Sequence, residues 1–213
     1  CEPRIACGAR GGAGLATATV VINPVPDAIV GTDNVCTGGS TTLTNGVSGG
    51  TWASSDITKA TISGTGYVSG ISFGSPTITY TLPSGCYTTM PFVVNPLPAD
   101  ISGTSAVCAG GATTTMSDPT PGGVWNSSNA ATAMITTGTG VVTGGSAGVT
   151  TLTYTLSTGC VATRNLIVNP LPAAITGSTA VCEGLATTLS DAGGGTWSSD
   201  DVSIATVESS GMV

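Results

Sequence analysis

A four-residue stretch, Asn-Pro-x-Pro, occurs three times and sets the phase of the whole chain. It reads Asn23-Pro24-Val25-Pro26, Asn95-Pro96-Leu97-Pro98 and Asn169-Pro170-Leu171-Pro172. Each copy follows an apolar run (Val20-Val21-Ile22, Phe92-Val93-Val94, Leu166-Ile167-Val168) and leads into a small-residue segment ending in Val-Cys at Cys36, Cys108 and Cys182. The copies start 72 and 74 residues apart. Self-similarity at a fixed period means a tandem architecture, and it constrains the fold before any single element is read. The 213 residues therefore divide into an N-terminal segment 1–22, two whole repeats at 23–94 and 95–168, and an incomplete third repeat at 169–213. Two prolines fix φ and bias their neighbours to extended backbone, so each link is expected to be a short, semi-rigid hinge that strings the repeats into an elongated array.

Within a repeat the residue types favour strands. Only 7% of residues are charged and 40% are hydrophobic, with many β-branched side chains and no long Ala/Leu/Glu/Lys stretches. β-Branched residues lose rotamer freedom in helices and pack well on pleated surfaces. Thr77-Ile78-Thr79-Tyr80-Thr81-Leu82 alternates strictly, which places Ile78, Tyr80 and Leu82 on one face. Ser40–Thr44, Thr51–Ser55, Ala60–Ile62, Tyr67–Gly70 and Met90–Val94 read as further strands, separated by Gly, Asn and Pro turns. The second repeat matches almost element by element. The third repeats Thr187-Thr188-Leu189, Thr196-Trp197-Ser198-Ser199 and Ile204-Ala205-Thr206-Val207 but lacks a counterpart of residues 143–168. The fold class is all-β, with each repeat a small sandwich.

The order Cys36…Trp52…Cys86 and Cys108…Trp125…Cys160 is the order in which immunoglobulin-like domains set a core tryptophan against a disulfide. The stretches Trp52-Ala53-Ser54-Ser55-Asp56, Ala60-Thr61-Ile62, Gly66-Tyr67-Val68-Ser69-Gly70, Trp197-Ser198-Ser199-Asp200 and Gly211-Met212-Val213 resemble the bacterial immunoglobulin-like group 2 family. Cysteine-bearing copies joined by Val-Asn-Pro-Leu-Pro also resemble the large repeat surface proteins of Bacteroidota. The resemblance implies tandem Ig-like β-sandwiches on a cell surface, acting as adhesin or scaffold, and carries over no binding site.

Seven cysteines in phase with the repeat, without Cys-x-x-Cys pairs, read as disulfides of an oxidising, extracellular compartment. The expected pairs lie within each repeat, Cys36–Cys86 and Cys108–Cys160, the rival being buried free thiols. A closed loop of about 50 residues contributes roughly 3–4 kcal/mol in the chain-entropy model, a large share for so thin a core. Trp52, Trp125 and Trp197 are expected in the core, against a rival role as sugar-stacking platforms. With no histidine, the usual nucleophile–histidine constellations are excluded, and adjacent Asp200 and Asp201 would point to opposite faces of a strand. No enzymatic activity and no cofactor are expected. Asp27, Asp33, Asp100 and Asp118 lie near hinges or turns, but they do not repeat in phase or form a calcium ligand ladder, so no metal is expected. Four Lys and Arg against a net charge of −7 argue against nucleic acid, and no apolar run approaches a membrane span.

The ends suggest how copies meet. The third repeat lacks its closing strands, while Leu15-Ala16-Thr17-Ala18-Thr19-Val20-Val21-Ile22 forms a strand-like segment outside any repeat. Insertion of that strand into the third repeat of a neighbouring copy would cover the exposed edge, giving a head-to-tail homopolymer; the rival reading is that these residues are a window on a longer array of the same repeats. With the strand inserted, Cys182 would be placed to bond Cys7 or Cys1 of the next chain. The expected function is an extracellular structural protein, the subunit of a cell-surface or secreted filament. The alternative is an adhesin-type binding module recognising a surface glycan or host protein.

Overall fold

The computed structural model describes residues 22–193 and 195–213, and among them there are fifteen strands and no helix. They fall into two compact units. One runs up to Pro98 and includes Leu156–Val161; the other comprises Ala99–Thr155 and Ala162–Val213.

The first unit holds β1 (Asn34–Cys36), β2 (Ser40–Thr42), β3 (Thr51–Ser54), β4 (Ala60–Ile62), β5 (Tyr67–Gly70), β6 (Thr77–Thr81), β7 (Tyr87–Pro91) and β8 (Val93–Asn95). One sheet has the order β2-β5-β4 and another β3-β6-β7, both antiparallel. The short β1 instead runs parallel to β8, with Asn34 opposite Val93 and Cys36 opposite Asn95. Alternation along these strands sends Val35, Leu43, Ala60, Val68, Ile78, Phe92 and Val94 into one core, against which Ile29, Trp52, Ile62 and Met90 pack.

The second unit repeats the plan with β9 (Ala106–Cys108), β10 (Thr113–Thr115), β11 (Val124–Ser127), β12 (Ala133–Ile135), β13 (Val141–Gly144), β14 (Gly148–Thr155) and β15 (Val161–Asn169). Its sheets are β10-β13-β12 and β11-β14-β15-β9, with β15 and β9 parallel. The closing strands are longer here for a covalent reason. Pro76 and Pro91 in the first repeat stand where the second has Thr150 and Asn165. A proline has no N–H to give to a ladder, so β7 and β8 are separate pieces flanking Phe92, whereas β15 runs unbroken. The core again contains the counterparts: Val107, Met116, Ala133, Val142, Leu152, Leu166 and Val168 are buried.

The sequence reading missed β1 and β9, the Val-Cys strands, because two or three small residues carry no period. It also treated Asn-Pro-x-Pro as a bare link. Asn95 and Asn169 are strand residues whose carbonyls accept from the backbone N–H of Thr37 and Ala109, at 2.9 and 2.8 Å. Pro26 and Pro98 are buried. The second copy, with both a strand asparagine and a buried proline, is built into the sandwich, whereas Pro172 of the third is exposed.

Candidate functional site

Three features stand out: a tyrosine–tryptophan core pair, a disulfide that crosses the repeat boundary, and an open third repeat.

Tyr80 on β6 lies opposite Trp52 on β3, with ring centroids 4.6 Å apart and planes inclined by 50°. Its hydroxyl donates to the Val47 carbonyl at 2.7 Å and accepts from the Gly50 N–H at 2.8 Å. Tyr154 and Trp125 repeat this at 4.8 Å, with Tyr154 donating to the Thr120 carbonyl and accepting from Gly123. A Cβ on Gly50 or Gly123 would collide with the tyrosine ring, which is why glycine precedes the tryptophan strand. Trp125 is buried, and Trp52 and Trp197 are half-buried. The latch was missed in the sequence, although a Gly-Gly pair ahead of Trp and a Tyr at the centre of an alternating strand were its visible signs.

The acidic groups serve turns. Asp56 accepts from the Thr58 hydroxyl at 2.6 Å and the Thr58 N–H at 2.9 Å, and these bonds hold its carboxyl below the usual carboxylate range. Asp201, four residues after Trp197, is lowered for the same reason by the Ser203 hydroxyl and N–H. Asn129 takes the equivalent place after Trp125 and accepts from the Ala131 N–H at 3.1 Å. Asp200 and Asp201 do not lie on a strand. Among the described residues, no cluster of three or more His, Cys, Asp or Glu could hold a metal, and no helix is long and apolar enough to cross a membrane.

The disulfide corrects the expected pairing. Cys36 is bonded to Cys160, 124 residues away, with Cα atoms 5.6 Å apart; neither Cys36–Cys86 nor Cys108–Cys160 is formed. Cys160 closes the turn between β14 and β15, and residues 156–161 belong to the first unit with Cys36. The phase of the cysteines is the same for pairing inside a repeat and for pairing between one repeat and the next, so periodicity could not distinguish them. Cys86 is buried, its Sγ 4.0 Å from the Asn23 carbonyl oxygen. Cys108 and Cys182 are exposed thiols. Cys1, Cys7 and the segment Leu15–Val21 lie outside the described residues.

In the third repeat half of the sandwich keeps its register. Thr188 bridges Met212 as Thr115 bridges Val141, and the Leu189 N–H donates to the Gly211 carbonyl as Met116 does to Gly140. The stretches around Trp197 and Ile204, expected as strands, are not strands. In the preceding repeats the Trp strand is held by β6 or β14, and residues 169–213 contain no counterpart of those partners. A groove of about 430 Å³ is lined here by the apolar Ile175, Leu189, Trp197, Ala205, Val207 and Val213 together with the polar Ser198, Ser199, Asp200 and Thr206. The apolar six are the counterparts of Ile101, Met116, Trp125, Ala133, Ile135 and Val142, all buried in the second repeat. Ile175 is 59% exposed where Ile101 is 5%.

Sheets, core and register together define an all-β protein of Ig-like sandwiches. Residues 32–87, from β1 to the start of β7, match the family model of the bacterial Ig-like domain (group 2). No curated protein matches the chain. Among solved structures it is similar to a C-terminal fragment of intimin in complex with the intimin-binding domain of its translocated receptor, at 16% identity, covering 72% of this chain and 67% of that one, TM-score 0.46. It is also similar to domains 4 and 5 of the S-layer protein SbsC, at 17% identity over 68% of this chain and 100% of that one, TM-score 0.36. Mouse cadherin-23 EC22–24 matches at 13% identity over 69% of this chain and 64% of that one, TM-score 0.29. At these identities the likeness is one of fold.

Proposed function

We propose that the protein is a non-enzymatic extracellular structural protein, the subunit of a cell-surface filament whose copies join head to tail. The observation that carries this reading is the open groove of the third repeat, whose apolar lining residues are the counterparts of residues buried in the second. Beside the groove the stretch around Trp197 is in no strand, so its backbone offers an edge to which an extended segment could add. The occupant is Leu15–Ile22 of a second copy. Counted back from the hinge asparagines, Leu15-Ala16-Thr17 falls on Val161-Ala162-Thr163 of β15, and Val20 and Ile22 fall on the buried Leu166 and Val168. In that register Val21, Ile22 and Asn23 would run parallel to Ala180, Val181 and Cys182, as Ile167, Val168 and Asn169 run beside Ala106, Val107 and Cys108. Full burial of Val20 and Ile22 would contribute about 1.5–3 kcal/mol each, with backbone pairing setting direction. The contact is heterologous, so it propagates as a fibre unless it closes into a ring. The Cys36–Cys160 disulfide supports an oxidising, extracellular setting.

The test is negative-stain microscopy with sedimentation of the purified chain and of a variant with residues 15–22 deleted. Long fibres from the first and only single particles from the second are expected. Fibres from both, or particles from both, would sink the strand-insertion reading, and particles that bind glycan or host protein would favour the adhesin reading.

A further inference from the structure

Cys36 and Cys108 occupy the same place in their repeats. Each ends a three-residue strand that runs parallel to the closing strand, opposite Asn95 or Asn169. The turns that carry Cys86 and Cys160 are also alike: the Leu82 N–H donates to the Cys86 carbonyl and Gly85 to Leu82, each at 2.9 Å, and Leu156, Cys160 and Gly159 repeat both bonds at the same length. The one disulfide among the described residues joins a strand-end cysteine of one repeat to the closing-turn cysteine of the next. Its strand-end counterpart Cys108 is an exposed thiol.

We propose that Cys108 is the docking half of a second bond of this kind, and that its partner is the cysteine of a Leu-x-x-Gly-Cys closing turn belonging to a repeat of the third repeat's phase. The cysteines would then form a stagger, each bond stepping from one repeat to the next, instead of a series of staples inside repeats. The proposal stands apart from strand insertion and requires no filament. The closing turn could be supplied by sequence following in the same chain or by a second copy; the chemistry at Cys108 is the same. Bond formation consumes one low-molecular-weight disulfide. The two protein thiols become one disulfide, and the oxidant leaves as two thiols.

The experiment extends this chain by a second copy of residues 143–168 placed after Val213, in phase because Val213 is the counterpart of Val142. The graft carries its own Leu-Ser-Thr-Gly-Cys turn. The chain is oxidised with glutathione disulfide, remaining thiols are alkylated, and disulfides are mapped by mass spectrometry of non-reduced peptides. Cys108, alkylated in the unextended chain, is expected to lose its alkylation and appear bonded to the grafted cysteine. A monomer on a non-reducing gel assigns the turn to the same chain, and a dimer assigns it to a second copy. Pairing of the grafted cysteine with Cys182, or a Cys108 that stays alkylated, overturns the proposal. The Cys182→Ser version of the extended chain removes the competitor inside the third repeat, and Cys108 must still become bonded there. The Cys36–Cys160 peptide in the same map reports folding; its absence from the unextended chain would remove the premise and the proposal with it.

Discussion

Tyr80 spends its hydroxyl on two backbone groups of the loop before the tryptophan strand, and its ring on the tryptophan itself. Tyr80→Phe keeps the ring contact and leaves the Gly50 N–H and Val47 carbonyl without that partner. A loss of about 1–3 kcal/mol is expected in urea unfolding, and Tyr154→Phe should cost a similar amount in the second repeat. Asp56 provides a different reading of one side chain. Its folded carboxyl titrates below the ordinary value because Thr58 donates to the ionised form. Its contribution is therefore present above the unfolded carboxylate value and fades as pH falls below about 4. Asp56→Asn, which copies Asn129 of the second repeat, is expected to flatten the acid limb of the melting temperature against pH; an unchanged limb would show that Asp56 has no part in it. The positions of the tryptophans were legible in the sequence because their spacing repeats, but their burial was not uniform: Trp125 is buried, while Trp197 lines the groove. The phenolic latch was not legible, because its partners are backbone atoms that belong to no motif.

At the scale of elements, the strands that alternated clearly in sequence are the ones that form, and the differences trace to partners. β2, β4, β5 and β6 lie within a residue or two of where alternation and turn residues placed them. Residues around Trp197 and Ile204 have the same pattern yet form no strand, since a strand requires a neighbour to bond and the pattern does not supply one. The turn entering β5, β13 and the Met212 bridge is shared by all three repeats: Gly66, Gly140 and Gly211 have φ of +81°, +70° and +83°. A Cβ there would meet the carbonyl oxygen of Leu43, Met116 or Leu189. Gly140→Ala is thus expected to destabilise the second repeat by more than about 1 kcal/mol, measured by thermal or urea unfolding, whereas alanine at Gly138, which faces open space, should change little.

For the whole molecule the cysteine pairing matters most, and it was the feature least legible in sequence. A repeat states where each cysteine stands in its own domain and says nothing about which copy of the partner it meets. The chain-entropy model gives a loop of this length about 5 kcal/mol, so Cys160→Ser, or reduction, is expected to lower the melting temperature of the first unit; no shift would mean that the bond is stabilising nothing. The bond also reroutes mechanical load. A pull applied to the two ends passes from Cys36 directly to Cys160, 124 positions on, and the span between them carries no tension. At roughly 3.3–3.6 Å per residue, about 400 Å of contour is held back from stretching until the disulfide is reduced. A reductant would then act as a release on a stored length, and a single molecule held at a force that unfolds the sandwiches should gain up to that length only after reductant is added.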